Sequence, residues 1–253
     1  MDFTLDIYTE LLQAFRQEGY CFLTFADYCK KETLLPVEKC VILRHDVDAK
    51  PINSLKMARI EAGMGIKSTY YFRIVPKSNQ PEIIKQIVAL GHEIGYHYED
   101  LTICKGDKTK AIEHFESCLN YFRTFYPVTT ICMHGSPRSR FDNKTLWNDF
   151  DYRQFGIVGE PYFDTDFNTF FYLTDTGRCW DGDKFSVRDK VNNCFAEKFH
   201  TTQEIISAIR HQIIPQKLLI TTHPQRWNNN LFKWIEEYCI QNLKNLIKRF
   251  LIK

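Results

Sequence analysis

The chain has 253 residues, 44% of them apolar and 15% aromatic, enough to bury a substantial core in one domain and too apolar for a disordered chain. Thirty-three Lys and Arg stand against 31 Asp and Glu for a formal net charge of +2, and the two signs are interspersed, which argues against a nucleic-acid footprint. The N-terminus lacks a basic stretch followed by an apolar core, no segment approaches a membrane-spanning run, and the nine scattered cysteines include no Cys-x-x-Cys. The expectation is therefore a cytoplasmic chain with reduced thiols in its core and no integral membrane segment.

Leu5, Tyr8, Leu11, Leu12 and Phe15 recur at helical spacing, so residues 1–39 read as a helical closure element of a single domain spanning 1–253. Val41 to Asp48 reads as a strand, and a helix then starts at Pro51, carries Leu55, Ala58 and Ala62, and stops at Gly63 and Gly65. Ser68 to Arg73, rich in aromatic and β-branched residues, predicts a second strand, followed by a helix from Pro81 to Leu90 and a third strand from His92 to Tyr98. Ile112, Phe115, Leu119, Phe122 and Phe125 line a long helix, and Thr129 to Met133 forms a fourth strand that ends in His134-Gly135. Residues 141–193 offer a helical piece at 143–149 and short strands around Gly156-Ile157-Val158 and Phe170-Phe171-Tyr172-Leu173. Thr201-Thr202-Gln203-Glu204 is a capping-box pattern, Lys217 to Thr222 a late buried strand ending in His223-Pro224, and residues 231–250 a closing helix.

Alternating strands and helices imply a parallel sheet with right-handed crossovers, and polar residues at successive strand ends imply that the sheet curls. A barrel-like α/β fold fits best. A doubly wound open sheet is second, because no strand is followed by a Gly-rich phosphate turn.

Strand side chains alternate, so Asp46 and Asp48 point one way while His45 and Val47 point the other. Four strand ends then carry chemistry: Asp46 with Asp48, His97 with Glu99, His134, and His223. A divalent cation would take a carboxylate from Asp48 and an imidazole from His97, with Asp46 beside it as a base. Arg73 closes the second strand and is placed to pair with Asp46; Arg178 and Trp180 have the chemistry to clamp a sugar; His92 is read as ordering a turn.

From Val41 to Thr222 the chain resembles the polysaccharide deacetylases, metal-dependent enzymes with a distorted (β/α)7 barrel. Asp46-x-Asp48 looks like the family's first motif, which implies Asp46 as general base and Asp48 as metal ligand. Gly91-His92-Glu93-Ile94-Gly95-Tyr96-His97 resembles the run into the second motif, which implies His97 as ligand, and His223 resembles the late histidine that acts as general acid. Where the family has a further histidine, four residues on, this chain has Leu101; His134, at a position where the family usually has an arginine that contacts the base, either replaces that contact or supplies the missing ligand, with Glu99 and Asp100 as further candidates behind it. Met133-His134-Gly135-Ser136-Pro137, Thr174-Asp175-Thr176-Gly177-Arg178 and His223-Pro224-Gln225-Arg226-Trp227 look like a subgroup associated with surface-polysaccharide (O-antigen type) synthesis. The resemblance implies a zinc-type ion as cofactor and an N-acetylated sugar, glycan or sugar-nucleotide as substrate. A metal-independent C–N amide hydrolase on the same barrel and a non-catalytic carbohydrate-binding protein remain as alternatives.

Overall fold

The computed structural model describes residues 1–30, 38–136, 139–181, 191–192 and 194–251. Strands β1 (Cys21–Leu23), β2 (Cys40–Val47), β3 (Thr69–Phe72), β4 (Glu93–Tyr98), β5 (Ile131–Met133), β6 (Phe171–Thr174) and β7 (Lys217–Thr222) make one parallel sheet in the order β5-β4-β3-β2-β7-β6. β2 is its axis. β7 runs along one edge of it, while β1 pairs with its first half and β3 with its second half along the other.

The sheet curls. β2 and β5 are three strand spacings apart, about 14 Å in a flat sheet, yet Asp48 at the end of β2 comes within 3.2 Å of His134 at the end of β5. Seven curled parallel strands with helices outside form a half-open version of the distorted (β/α)7 barrel that the sequence predicts. Beyond β5 the pairing shrinks to a single bridge, Thr130 with Gly159, so the strand expected at 156–158 is not formed. Two causes are visible. A Cβ at Gly159 would lie 2.2 Å from the Cys29 sulfur, and Pro161, which has no N–H to pair, already opens a helix.

The helices are α1 (Leu5–Gln17), α2 (Phe25–Cys29), α3 (Pro51–Gly63), α4 (Pro81–Ala89), α5 (Asp100–Ile103), α6 (Lys108–Arg123), α7 (Pro161–Asp164), α8 (Thr202–Arg210) and α9 (Leu231–Leu251). The capping box at Thr201 and Glu204 is formed as its pattern predicts, and the helical piece near 143–149 is a 3-10 helix, Asn143–Asn148, capped by Asp142. α2, α5 and α7 are each a turn or so long, too short for a periodicity to show. The N-terminal segment is built into the wall: Tyr8, Leu11, Leu12 and Phe15 of α1 are buried among residues of α8 and the outer faces of β2, β6 and β7.

Period two sorts β2 into two faces. Val41 and Leu43 pack outward against α1 and α8, while Cys40 and Ile42 point into the barrel with Phe25, Tyr28, Phe170, Tyr172 and Leu219 as an apolar floor. Above that floor lies a polar layer, in which Glu93 accepts hydrogen bonds from Thr69, Thr130 and the Ala26 N–H, and Tyr71 donates to Thr130 at 3.0 Å. Gly95 makes room for that tyrosine, since a Cβ there would fall 2.2 Å from the Tyr71 ring. Arg44, Asp46 and Asp48 continue the same inward row toward the mouth.

Candidate metal and catalytic site

Asp48, His97 and His134 converge. Asp48 Oδ1 lies 3.7 Å from His97 Nε2 and 3.2 Å from His134 Nε2, and the two imidazoles stand nearly perpendicular with centroids 5.2 Å apart. His97 Nδ1 meets the Cys132 carbonyl at 2.9 Å. A carbonyl only accepts, so Nδ1 carries the proton and Nε2 offers its lone pair to the carboxylates, as a metal-binding histidine requires. Burial, with the His134 charge nearby, pushes His97 down to about 4 against the pull of Asp46 and Asp48, so the ring is neutral.

His134 is held from behind by Glu99, whose Oε2 is 3.1 Å from His134 Nδ1. Burial alone would lower His134, but Asp48 and Glu99 outweigh it and carry it up to about 9, while burial of Asp48 is outweighed by His134, His223 and His97 and that carboxyl sits well below its usual range. Despite these short distances, Asp48 Oδ1 and His134 Nδ1 are buried without a properly directed hydrogen bond. An ionised oxygen left in that condition beside two imidazole nitrogens is a donor set for a borderline cation, whose tetrahedral N and O ligands sit about 3.3 Å apart at bond lengths of about 2.0 Å. The donor types suit a divalent ion, with Asp48 within 3.7 Å of both histidines, but the three do not form a closed group with every ligand atom within 4.8 Å of the others. Among the described residues two groups do have all their ligand atoms within 4.8 Å of one another: Asp100 with His114 and Cys118, and Asp46 with His97 and the Cys132 thiol, although Asp46 commits both its oxygens elsewhere.

That commitment is to Arg44. Its Nε and Nη2 donate to the two oxygens of Asp46 at 2.8 and 2.6 Å, and its Nη2 also reaches the Tyr162 hydroxyl at 3.0 Å. Burial would raise Asp46; the guanidinium, with His97, more than compensates and keeps it ionised. The arginine sits two residues before Asp46 and so shares its face, a period-two signal already present in the sequence. The expected partner, Arg73, does something else: it donates to both oxygens of Glu99 at 2.8 and 2.7 Å, while Arg44 already occupies both oxygens of Asp46.

His223 enters from the end of β7. Its Nδ1 is 2.6 Å from Asp175 Oδ1, and its backbone N–H donates to the other oxygen at 2.9 Å. Asp175 is also gripped by Arg226 at 2.5 Å and by the Trp227 indole at 2.9 Å; burial opposes its charge, and Arg226 and His223 nevertheless bring it to about 2. With Nδ1 occupied, Nε2 is the atom left for chemistry, and the field of His223 reaches both Asp46 and Asp48. Gln225 ties the same loop to Asp48 Oδ2 at 3.4 Å. Asp175 follows β6, where no sequence pattern marks it as a partner of a residue 48 positions away.

Two expected sugar contacts are elsewhere. Trp180 is a core residue, 5% exposed, stacked with Phe3 and donating to Thr202 at 2.9 Å. Arg178 lies over the Trp234 ring at 4.2 Å and donates to the Trp234 carbonyl at 3.0 Å, so its guanidinium is taken up by α9. Leu101 is buried with Ala111 and Leu146 and offers no ligand.

A second buried polar group lies behind β2. Glu61 of α3 accepts from Tyr8, Ser68 and Tyr70 at 2.5, 2.5 and 2.8 Å and lies 2.9 Å from His45 Nε2. His92 bonds the Ala58 carbonyl at 2.9 Å and Ser68 Oγ at 3.0 Å, which joins α3 to β3 and gives it a structural place larger than the ordering of one turn.

No family model matches the sequence, and no curated protein matches it. Among solved structures the chain is similar to a Streptococcus mutans CE4 esterase, at 14% identity over 91% of this chain and 89% of that one, TM-score 0.47. It is also similar to the Xyl-CE4 domain of a multidomain xylanase from the hindgut metagenome of Trinervitermes trinervoides, at 16% identity over 83% and 84%, TM-score 0.41. A third likeness is to a CE4 family pseudoenzyme from Bacillus anthracis, at 13% identity over 84% and 62%, TM-score 0.40. At such identities the chemistry of this site is read from its own residues.

Proposed function

We propose that the protein is a metal-dependent hydrolase that removes the acetyl group from an N-acetylated sugar, carried on a glycan, a nucleotide or a lipid, in surface-polysaccharide assembly. The observation that carries this reading is the buried, ionised Asp48 Oδ1 without a hydrogen bond, facing the nitrogens of His97 and His134. Those three residues would hold the ion, with zinc the best match to two imidazoles and one carboxylate. When bound it supplies a Lewis acid for the acetyl oxygen and lowers the pKa of water.

The chain's own residues do the rest. Asp46, kept ionised by Arg44, takes the proton from the attacking water, and the guanidinium holds the carboxylate in one orientation while it does so. Glu99 aims His134, and Arg73 fixes Glu99. His223, oriented through Nδ1 by Asp175, gives a proton from Nε2 to the departing amine. The test is elemental analysis of the purified protein beside its Asp48→Ala, His97→Ala and His134→Ala variants, together with acetate release from N-acetylated sugars. One ion per chain, lost in each variant along with acetate release, is expected. A protein that stays metal-free when ions are supplied, or that releases acetate after exhaustive chelation, overturns the metal-dependent reading. In the first case tight glycan binding without turnover would identify a binding protein; in the second the metal-independent amidase is left.

A further inference from the structure

Of the two closed groups of ligand atoms, one has no part in the chemistry at the barrel mouth. Asp100 opens α5, and His114 and Cys118 stand one turn apart on α6. Asp100 Oδ1 is 2.5 Å from His114 Nδ1, and Cys118 Sγ is 3.6 and 3.8 Å from the two nitrogens of the same ring. Although Asp100 directly follows Glu99, it turns away from the mouth: its partners are His114 and Tyr96, and Tyr96 packs with Phe115 and Phe122 of α6 outside the sheet.

The hydrogen bonding around Asp100 is incomplete. The carboxylate is fully buried, and the Tyr96 hydroxyl, with a single hydrogen, spans both its oxygens at 2.9 Å each. Among the described residues its one charged partner is His114. Burial pushes the carboxyl up, and the bonds from His114 and Tyr96 offset only part of that. A divalent cation would supply the missing positive charge, with Tyr96 as the outer hydrogen bond that orients the carboxylate. The spacing suits one. Tetrahedral nitrogen and sulfur ligands, about 2.0 and 2.3 Å from an ion, stand about 3.5 Å apart, close to the 3.6 Å between His114 Nδ1 and Cys118 Sγ. Between Asp100 and His114 the ion would replace the shared proton and part the pair by about 0.8 Å. His114 is partly exposed, which gives an ion a way in. Carboxylate, imidazole and thiol in this order also make a nucleophile relay, but the Cys118 sulfur is buried, and burial with Asp100 nearby pushes the thiol up to about 12, the reverse of an activated thiolate.

We propose that Asp100, His114 and Cys118 form a second divalent-cation site, of zinc type, that clasps α5 to α6 outside the barrel. Its fourth position falls to water or to Cys104, which follows Asp100 by four residues and whose field reaches Cys118. The role is structural: the ion fixes the turn that begins one residue after Glu99. The imidazole and thiol protons must both leave before it fills, so it loads when ions are supplied and not in the protein as purified. The site does not depend on the proposed hydrolase function.

The experiment is titration of the full chain, reduced and stripped of metal, with Co²⁺. The signal is the near-ultraviolet thiolate-to-cobalt charge-transfer absorption, which carboxylate and imidazole ligands alone do not give. Asp48→Ala, Cys132→Ser, Cys118→Ser and His114→Gln are compared, with circular dichroism to confirm folding. Expected are the absorption in the wild type, its retention in Asp48→Ala and Cys132→Ser, its loss in Cys118→Ser, and a cobalt affinity about tenfold or more weaker in His114→Gln. Because His114 is partly exposed, His114→Gln keeps the test decisive where Cys118→Ser fails to fold. No absorption in the wild type, or one that Cys118→Ser or His114→Gln leaves unchanged, overturns the proposal. So does an absorption lost in Cys132→Ser, which would place the cobalt beside Asp46 and His97. Asp48→Ala removes a ligand of the barrel mouth alone, so failure there and failure here are read separately.

Discussion

The two faces of β2 carry histidine and carboxylate one residue apart and use them in opposite ways. Behind the strand, His45 lies against a Glu61 whose oxygens are filled by three hydroxyl donors, and nothing there faces an opening. In front, Asp48 has a charged oxygen that the protein leaves without a directed hydrogen bond. Both groups are buried, and both contain depressed carboxylates, so neither burial nor a shifted pKa separates a structural cluster from a functional one. The carboxylate's own partners do: His45 Nε2 and Asp48 Oδ1 alike lack a directed hydrogen bond, but both oxygens of Glu61 accept from hydroxyls, while Asp48 Oδ1 faces two imidazole nitrogens.

The sharpest way to break this contrast is Glu61→Gln beside Asp48→Asn. Removing the charge at the centre of the sealed cluster is expected to cost about 3–5 kcal/mol in urea unfolding, while Asp48→Asn in the metal-free protein costs less and abolishes metal uptake at the barrel mouth. A reversed order would make the rear cluster the functional one. Acid gives a graded version of the same test. Glu61 sits at about 2 in the folded protein against 4.5 ordinarily, so its contribution, roughly 3 kcal/mol, is complete above pH 4.5 and is lost as pH falls toward 2; the Glu61→Gln variant should lack that part of the acid transition.

The front cluster responds at the other end of the scale. His134 is held at about 9, so a metal must displace its proton at neutral pH. Affinity measured by competition with a chelator should therefore rise about tenfold per pH unit from 7 to 9 and level off above. A flat profile would remove His134 from the ligand set. The smallest effect concerns Trp180. Trp180→Phe loses the bond to Thr202 and is expected to cost about 1 kcal/mol of stability with KM for any sugar substrate unchanged, whereas a raised KM would return this indole to the substrate.

Much of this was legible in the chain. The alternation along β2 separates His45 from Asp46, and the strand-and-helix rhythm predicts the parallel barrel, because both are local periodicities. The same alternation also contains Arg44 as the partner of Asp46, a signal that is easily passed over inside a buried strand where a charge is not expected. Arg73, read as a partner of Asp46 because both end strands, lies between β2 and β4 and meets Glu99, since Arg44 already fills Asp46 from within its own strand. Asp175 and the places of Arg178 and Trp180 depend on how the loops after β6 fold against α8 and α9, contacts between distant residues that no local pattern encodes.

The tyrosine lodged in the hollow of Gly95 gives the barrel a cul-de-sac. With Tyr71 bonded to Thr130, and Glu93 binding Thr69, Thr130 and the Ala26 N–H beneath it, the route past Asp46 toward the far end is filled. Among the described residues that floor closes the way beneath Asp46, so whatever reacts at Asp48 is expected to come from the strand-end side. Under the proposed reaction, a product released toward that floor has to turn back past Asp48 to leave.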